Sequence, residues 1–172
     1  FCDPFCGSGT IAIEAALIAK NRAPGLSRAF SAQKWRWLDA KSWLDAADEA
    51  MDREFGGTYD IWGGDVDPKA VEIARANAVK ADVEDMVRFE TADAARFRRY
   101  TPYGRVVTNP PYGERILEKR EAEELYRAFG RAVRDLPEGW RVSVLSSHTE
   151  FERTFGRTAD KKRKLYNGMI KC

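Results

Sequence analysis

The sequence predicts an α/β domain: a doubly wound, mostly parallel sheet covered by helices on both faces, with an antiparallel hairpin at its C-terminal end. Three observations lead there. Short apolar runs alternate with segments of helical period along the whole chain, a pattern that buries a parallel sheet between helices. Turn-forming motifs rich in glycine or proline fall where those apolar runs end. The length, 172 residues with 44% apolar and 33% charged side chains, suits a single domain with one sizeable core.

The elements follow in order. Residues 8–20 carry apolar residues at helical spacing (Ile11, Ala15, Ile18), with Ser8 or Thr10 as the expected cap. Residues 21–31 form a loop around Pro24-Gly25, and residues 40–55 a second helix with Trp43, Leu44, Ala47 and Met51 on its apolar side, ended by Gly56-Gly57. Residues 59–64, 86–90, 104–108 and 140–146 read as strands. Residues 68–81, 121–136 and 150–155 read as helices, the first opened by a proline and the second striped by Leu125, Phe129 and Val133. Residues 162–167 and 169–172 are expected to pair as a hairpin around Asn167-Gly168. The chain opens inside a motif, so its first strand reads as truncated and the whole as a fragment of a longer polypeptide.

Composition excludes several classes. No apolar run approaches the length that spans a membrane. Three cysteines (Cys2, Cys6, Cys172) fit no disulfide framework and read as reduced thiols. The one histidine, His148, has no nucleophile in a motif beside it, and no metal site is expected. Net charge is only +2, but it is unevenly spread. Residues 96–105 hold four arginines and no acid, and residues 153–171 hold seven basic residues against one acid, which suits a polyanion.

Three motifs carry the chemistry. In Asp3-Pro-Phe-Cys-Gly7-Ser-Gly9-Thr the two glycines permit a tight turn and close approach of a ligand, and Asp3 favours a cationic group over a pyrophosphate. Gly7, Gly9 and Ala12 also match a dinucleotide fingerprint, which leaves a nucleotide-binding oxidoreductase open. In Gly63-Gly-Asp65-Val66-Asp67-Pro68, Asp65 is placed to accept ribose hydroxyls and Asp67 to cap the next helix. The long interval from Gly9 to Asp65 implies a helical insertion over about residues 21–57. In Asn109-Pro110-Pro111-Tyr112-Gly113 two prolines remove two N–H donors, so the Asn109 side-chain oxygen and the Pro110 carbonyl are left to accept from a planar amino group, with Tyr112 as a stacking face. Trp35, Trp37 and Trp43 read as packing residues of the insertion.

Together these motifs resemble a class I, Rossmann-like S-adenosylmethionine-dependent methyltransferase. The closing Lys161-Lys-Arg-Lys-Leu-Tyr-Asn-Gly-Met-Ile-Lys171 narrows the resemblance to the catalytic domain of bacterial THUMP-containing RNA guanine-N2 methyltransferases of the 23S ribosomal RNA type, over essentially all 172 residues. The resemblance implies S-adenosylmethionine as cofactor, an upstream RNA-binding THUMP domain, ribosomal RNA as partner and a cytoplasmic location. It further implies that Asp3, Gly7 and Gly9 surround the methionine part, Asp65 the ribose and Val66 the adenine. Asp93 would accept from the adenine amino group, and Asn109, Pro110 and Tyr112 would receive the target base. Adenine-N6 and protein glutamine-N5 methylation use the same Asn-Pro-Pro-Tyr pattern and stay open, as does a non-catalytic RNA-binding module.

Overall fold

A computed structural model describes residues 1–113, 116–167 and 170–172. Five parallel strands form the main sheet: β1 (Cys2–Asp3), β2 (Ile61–Asp65), β3 (Val87–Thr91), β4 (Gly104–Thr108) and β5 (Trp140–Val144). Their spatial order is β3-β2-β1-β4-β5, all parallel, so the chain winds outward from β1 in one direction and then in the other. β1 has two residues where its neighbours have five. Cys2 lies opposite both Trp62 and Val106, so this short strand is the seam between the halves. The reversal of strand order puts the crevice at the carboxyl ends of β1 and β4.

The helices are α1 (Thr10–Lys20), α2 (Ala40–Asp52), α3 (Pro68–Lys80), α4 (Ile116–Arg134) and α5 (Phe151–Phe155). One face of the sheet packs Ile13, Ala16, Val71, Ala74 and Phe89 between α1, α3 and the strands. The other packs Trp62, Phe97, Phe129, Val133 and Phe155 under α4 and α5. Burying such a side chain contributes about 1.5–3 kcal/mol, so both helix layers hold the sheet strongly.

The structure differs from the sequence reading in several places. The N-cap of α1 is Gly9, at φ 87°, and among the described residues no side chain closes that end, so neither Ser8 nor Thr10 caps; they bond to each other instead. Asp67 does cap α3, accepting from Lys69 N–H at 2.9 Å. α4 begins at Ile116 rather than at 121, because residues 117–120 (Leu-Glu-Lys-Arg) are strong helix formers. The apolar stripe expected to pack α2 does not pack it. No residue of α2 is buried, and Leu44 and Met51 stay more than half exposed. Trp35 and Trp37 are likewise exposed, their rings tilted against each other at 5.4 Å, while Trp43 stacks on Phe30. The insertion therefore lies along the domain without joining its core. The hairpin forms between β6 (Tyr166–Asn167) and β7 (Ile170–Lys171), with Leu165 and Cys172 bonded beyond it; of its expected Asn167-Gly168 turn, Asn167 ends β6 and Gly168 lies outside the described residues. Arg115, which follows the third motif, also lies outside them.

Candidate functional site

The first two motifs fold against each other. The carboxylate of Asp65 accepts the Gly7 N–H at 2.9 Å through one oxygen and the Asp67 N–H at 3.0 Å through the other. Cys6 N–H donates to the Gly64 carbonyl and Ala92 N–H to that of Asp65, so the loops after β1, β2 and β3 form one rim. The two glycines of the first motif differ. A Cβ on Gly9 would meet the Ala74 Cβ and the Phe89 ring at 2.9 Å, so Gly9 brings the loop against α3 and β3. A Cβ on Gly7, at φ 50°, would meet nothing within 4 Å among the described residues. Gly7 thus faces open space, and Gly9 is filled by protein.

Asp3 sits under this rim. Its side chain is buried, one oxygen accepting from Thr108 Oγ1 at 2.6 Å and from Phe5 N–H at 3.2 Å, while Oδ2 has no partner among the described residues. Burial raises its carboxyl from 3.8 to about 6, with the neighbouring Asp65 charge adding to the rise and the Thr108 and Phe5 bonds opposing it. An under-bonded, desolvated carboxylate is suited to a cation. Cys6 beside it is pushed up to about 12, by burial first and then by the charges of Asp3 and Asp65, so it stays a neutral thiol. Val66, at the end of the second motif, is 75% exposed, as an apolar ligand face would need. Asp93 is exposed, and one of its oxygens accepts the Ala95 N–H to start a 3-10 turn at Ala94–Arg96.

The third motif lies on the other side of the seam. Thr108, the last residue of β4, donates to Asp3, so the residue just before Asn109 is bonded to the acid of the first motif. Asn109 Oδ1 is buried and has no partner among the described residues. Pro110 is fully buried. Tyr112 is half-buried, and its hydroxyl receives the Cys172 Sγ–H at 3.4 Å, which ties the C-terminal hairpin to this loop. The expected site residues therefore fall into two groups on adjacent strands, joined through Asp3 and Thr108.

Sequence reasoning missed Thr108, Glu123, Tyr126, Ser146 and His148. Thr108 had a signal: it shares a strand face with the buried Val106, two residues earlier. The others come together only through the fold. His148 Nδ1 accepts the Glu150 N–H at 3.1 Å, which leaves the ring proton of the neutral form on Nε2, 3.1 Å from Glu123 Oε1. Tyr126, 1% exposed, donates to the Pro111 carbonyl at 2.5 Å.

The two basic segments differ from a uniform charged face. Arg99 lies 4.5 Å from the Trp62 ring, near Phe97, with Nε on Cys2 Sγ at 3.3 Å, so it packs the sheet instead of offering its charge outward. In the tail Lys162 pairs with Glu152 and Arg153 with Glu150, while Lys161, Arg163 and Lys164 are exposed. Among the described residues no cluster of three or more histidine, cysteine or acidic side chains could hold a metal ion, and no helix is long and apolar enough to cross a membrane.

The RMKL-like methyltransferase domain (UPF0020) matches residues 1–172. The chain belongs to this family. A "Ribosomal RNA large subunit methyltransferase K/L" of Shewanella baltica is 38% identical over 99% of the chain, which spans 25% of that protein. The solved structure of "SMU.472, a putative methyltransferase complexed with SAH" is 42% identical and superposes with a TM-score of 0.95, covering 99% of this chain and 45% of that one. A structure described as "a predicted N6-adenine-specific DNA methylase from Listeria monocytogenes" is 46% identical, with a TM-score of 0.93 over 96% of this chain and 44% of its own. The chain spans less than half the length of the curated relatives it matches. The fold expected from the sequence is thus that of methyltransferases, and the family resemblance read from the motifs holds.

Proposed function

We propose that this chain is the catalytic domain of an S-adenosylmethionine-dependent RNA methyltransferase that modifies the exocyclic N2 amine of guanine in 23S ribosomal RNA. The observation that carries this reading is a pair of buried side-chain oxygens without a partner among the described residues, Asp3 Oδ2 in β1 and Asn109 Oδ1 just after the neighbouring β4, joined through Thr108. One is anionic and suits a cation; the other is neutral and suits an amine hydrogen.

The residues present fit the cofactor. The open side of Gly7 leaves room for it, and the Asp3 carboxylate lacks the counter-charge it would supply. When bound, S-adenosylmethionine supplies a methyl group already activated on a sulfonium. Asp3 and Gly7 hold its methionine part. Asp65 accepts from the ribose hydroxyls with the lone pairs that Gly7 and Asp67 leave, Val66 packs on the adenine, and Asp93 accepts from the adenine amino group. Gly9 contributes by shaping the loop and not by contact.

Asn109 Oδ1 accepts one amine N–H and the Pro110 carbonyl the other. This pins the nitrogen and directs electron density to its lone pair, so positioning supplies much of the rate. The proton becomes acidic once the nitrogen bears a fourth substituent, so the site needs no base of its own. Tyr112 stacks on the target base, which must leave its helix to enter the loop. The exposed lysines and arginine at 161–164, with an upstream RNA-binding THUMP domain as the family resemblance implies, contribute affinity for RNA. Such a substrate is met in the cytoplasm. The Shewanella relative's name supports ribosomal RNA, whereas the Listeria relative's description favours a second reading, adenine N6 of DNA.

The deciding experiment incubates the intact polypeptide with methyl-labelled cofactor and hypomethylated ribosomal RNA, DNA or protein. Label recovered as N2-methylguanosine from 23S RNA supports the proposal. Label recovered as N6-methyladenine or in protein overturns it.

A further inference from the structure

Two consecutive prolines create a difficulty for the loop after β4. Neither Pro110 nor Pro111 has an N–H, so at these positions the loop cannot be tied down by its own amides. Its carbonyls are the remaining handles, and the proposed mechanism uses that of Pro110 for the substrate amine. The Pro111 carbonyl is gripped by the fully buried Tyr126, from the middle of α4, at 2.5 Å.

Tyr126 is itself oriented. Ser146, in the loop after β5, accepts the His148 N–H at 3.2 Å through Oγ. The ring of Tyr126 is wedged edge-on between His148 at 5.7 Å and Phe151 at 4.9 Å, and His148 is fixed by Glu123, one helical turn before Arg127, which pairs with the same carboxylate. Burial raises the Tyr126 phenol, so it remains the protonated donor that the bond to the Pro111 carbonyl requires.

We infer that Tyr126 is a positioning residue for amine methylation: its hydroxyl, on a ring held between His148 and Phe151, fixes the Pro111 carbonyl and through it the Asn109-Pro110 pair that receives the amine. This rests on the function proposed above. Tyr126 touches neither cofactor nor substrate, so its removal acts on the chemical step and not on either affinity.

The test measures single-turnover methyl transfer by the intact enzyme to hypomethylated 23S RNA, with cofactor and RNA dissociation constants measured separately. Tyr126→Phe removes one oxygen and keeps the ring. It is expected to lower the rate roughly 10- to 100-fold, the scale of a misplacement near 1 Å, with both dissociation constants within about twofold of the parent. In an Asn109→Ala background Tyr126→Phe should add little, because both act on one arrangement. A normal rate for Tyr126→Phe, or a fall that appears wholly as weaker cofactor or RNA binding, overturns the inference. Full additivity of the two substitutions also overturns it. A normal rate for Asn109→Ala would instead overturn the amine-accepting role of the loop, so the two failures are distinguishable.

Discussion

The two halves of the candidate site are held in opposite ways. On the side of β1, β2 and β3 the acids bind their own loops: Asp65 bridges Gly7 and Asp67, Asp67 caps α3, and Asp93 caps a 3-10 turn. On the other side the loop after β4 has no amide at Pro110 or Pro111 and is fixed from behind by α4, through Tyr126, and by the hairpin, through Cys172. A rim made of mutual hydrogen bonds presents a formed surface without its ligand. A loop gripped from behind leaves Asn109 Oδ1 without a partner among the described residues. The first arrangement suits a cofactor that every turnover shares, and the second an acceptor that must be aligned at the moment of reaction.

Substitutions should separate these halves. Asn109→Ala is expected to have the largest effect, about 10²–10³ in methyl-transfer rate, the scale seen when one preorganised hydrogen-bond partner is removed. Cofactor affinity by calorimetry should stay within a fewfold. Loss of both together would erase the contrast between the sides.

Asp3→Asn probes the joint between them. Its carboxyl is raised from 3.8 to about 6 in the folded protein. A raised folded value means that the native state holds the proton more tightly, so stability is full below about pH 4 and falls as pH rises through about 6. By neutral pH the buried charge costs about 3 kcal/mol. Asp3→Asn should therefore flatten the fall between pH 4 and 6 in urea unfolding and raise stability at pH 7.5, while weakening the cofactor. An unchanged pH profile would show that Asp3 is not the titrating group.

The glycines give a smaller contrast within one loop. Gly9→Ala adds a clash at 2.9 Å to an unfavourable φ and should destabilise by about 2 kcal/mol, mainly in thermal unfolding. Gly7→Ala meets open space, so it should cost only about 1 kcal/mol of stability through φ but lower cofactor affinity. The smallest effect is expected from alanine at Lys161, Lys162, Arg163 and Lys164. For every phosphate that these side chains no longer neutralise, the slope of log affinity against log salt should flatten by about 0.7–0.9, with cofactor binding unchanged. An unaltered slope would place the RNA elsewhere.

The elements of the fold were legible because each carries its own period. Val106 and Val107 sit in a strand that runs over the expected residues 104–108, and Val71, Ala74 and Ala78 are the buried face of α3. The three motifs were legible because glycine, proline and aspartate impose local backbone chemistry. What stayed hidden depends on distant partners. Glycine at position 9 reads alike whether ligand or Phe89 fills the space above it. Arg99 looks like any other arginine in a basic run, although Trp62 lies under its guanidinium. The α2 stripe was misread because an amphipathic pattern states which side is apolar without stating that anything covers it. Tyr126 and His148 belong to separate elements and meet only once β5 is laid beside β4.

The central place of β1 also bears on the order in which the sheet is made. Its two residues leave a ribosome before the other four strands, yet Cys2 pairs on one side with Trp62 and on the other with Val106. At about 5–20 residues per second, β1 waits roughly 5–20 s for its second partner to be synthesised. Until then β1 and β2 present an open edge to the cell, with the apolar Cys2 and Trp62 uncovered by α4. Nascent chains should therefore be most open to chaperones, and most prone to pair with one another, in the interval before β4 emerges.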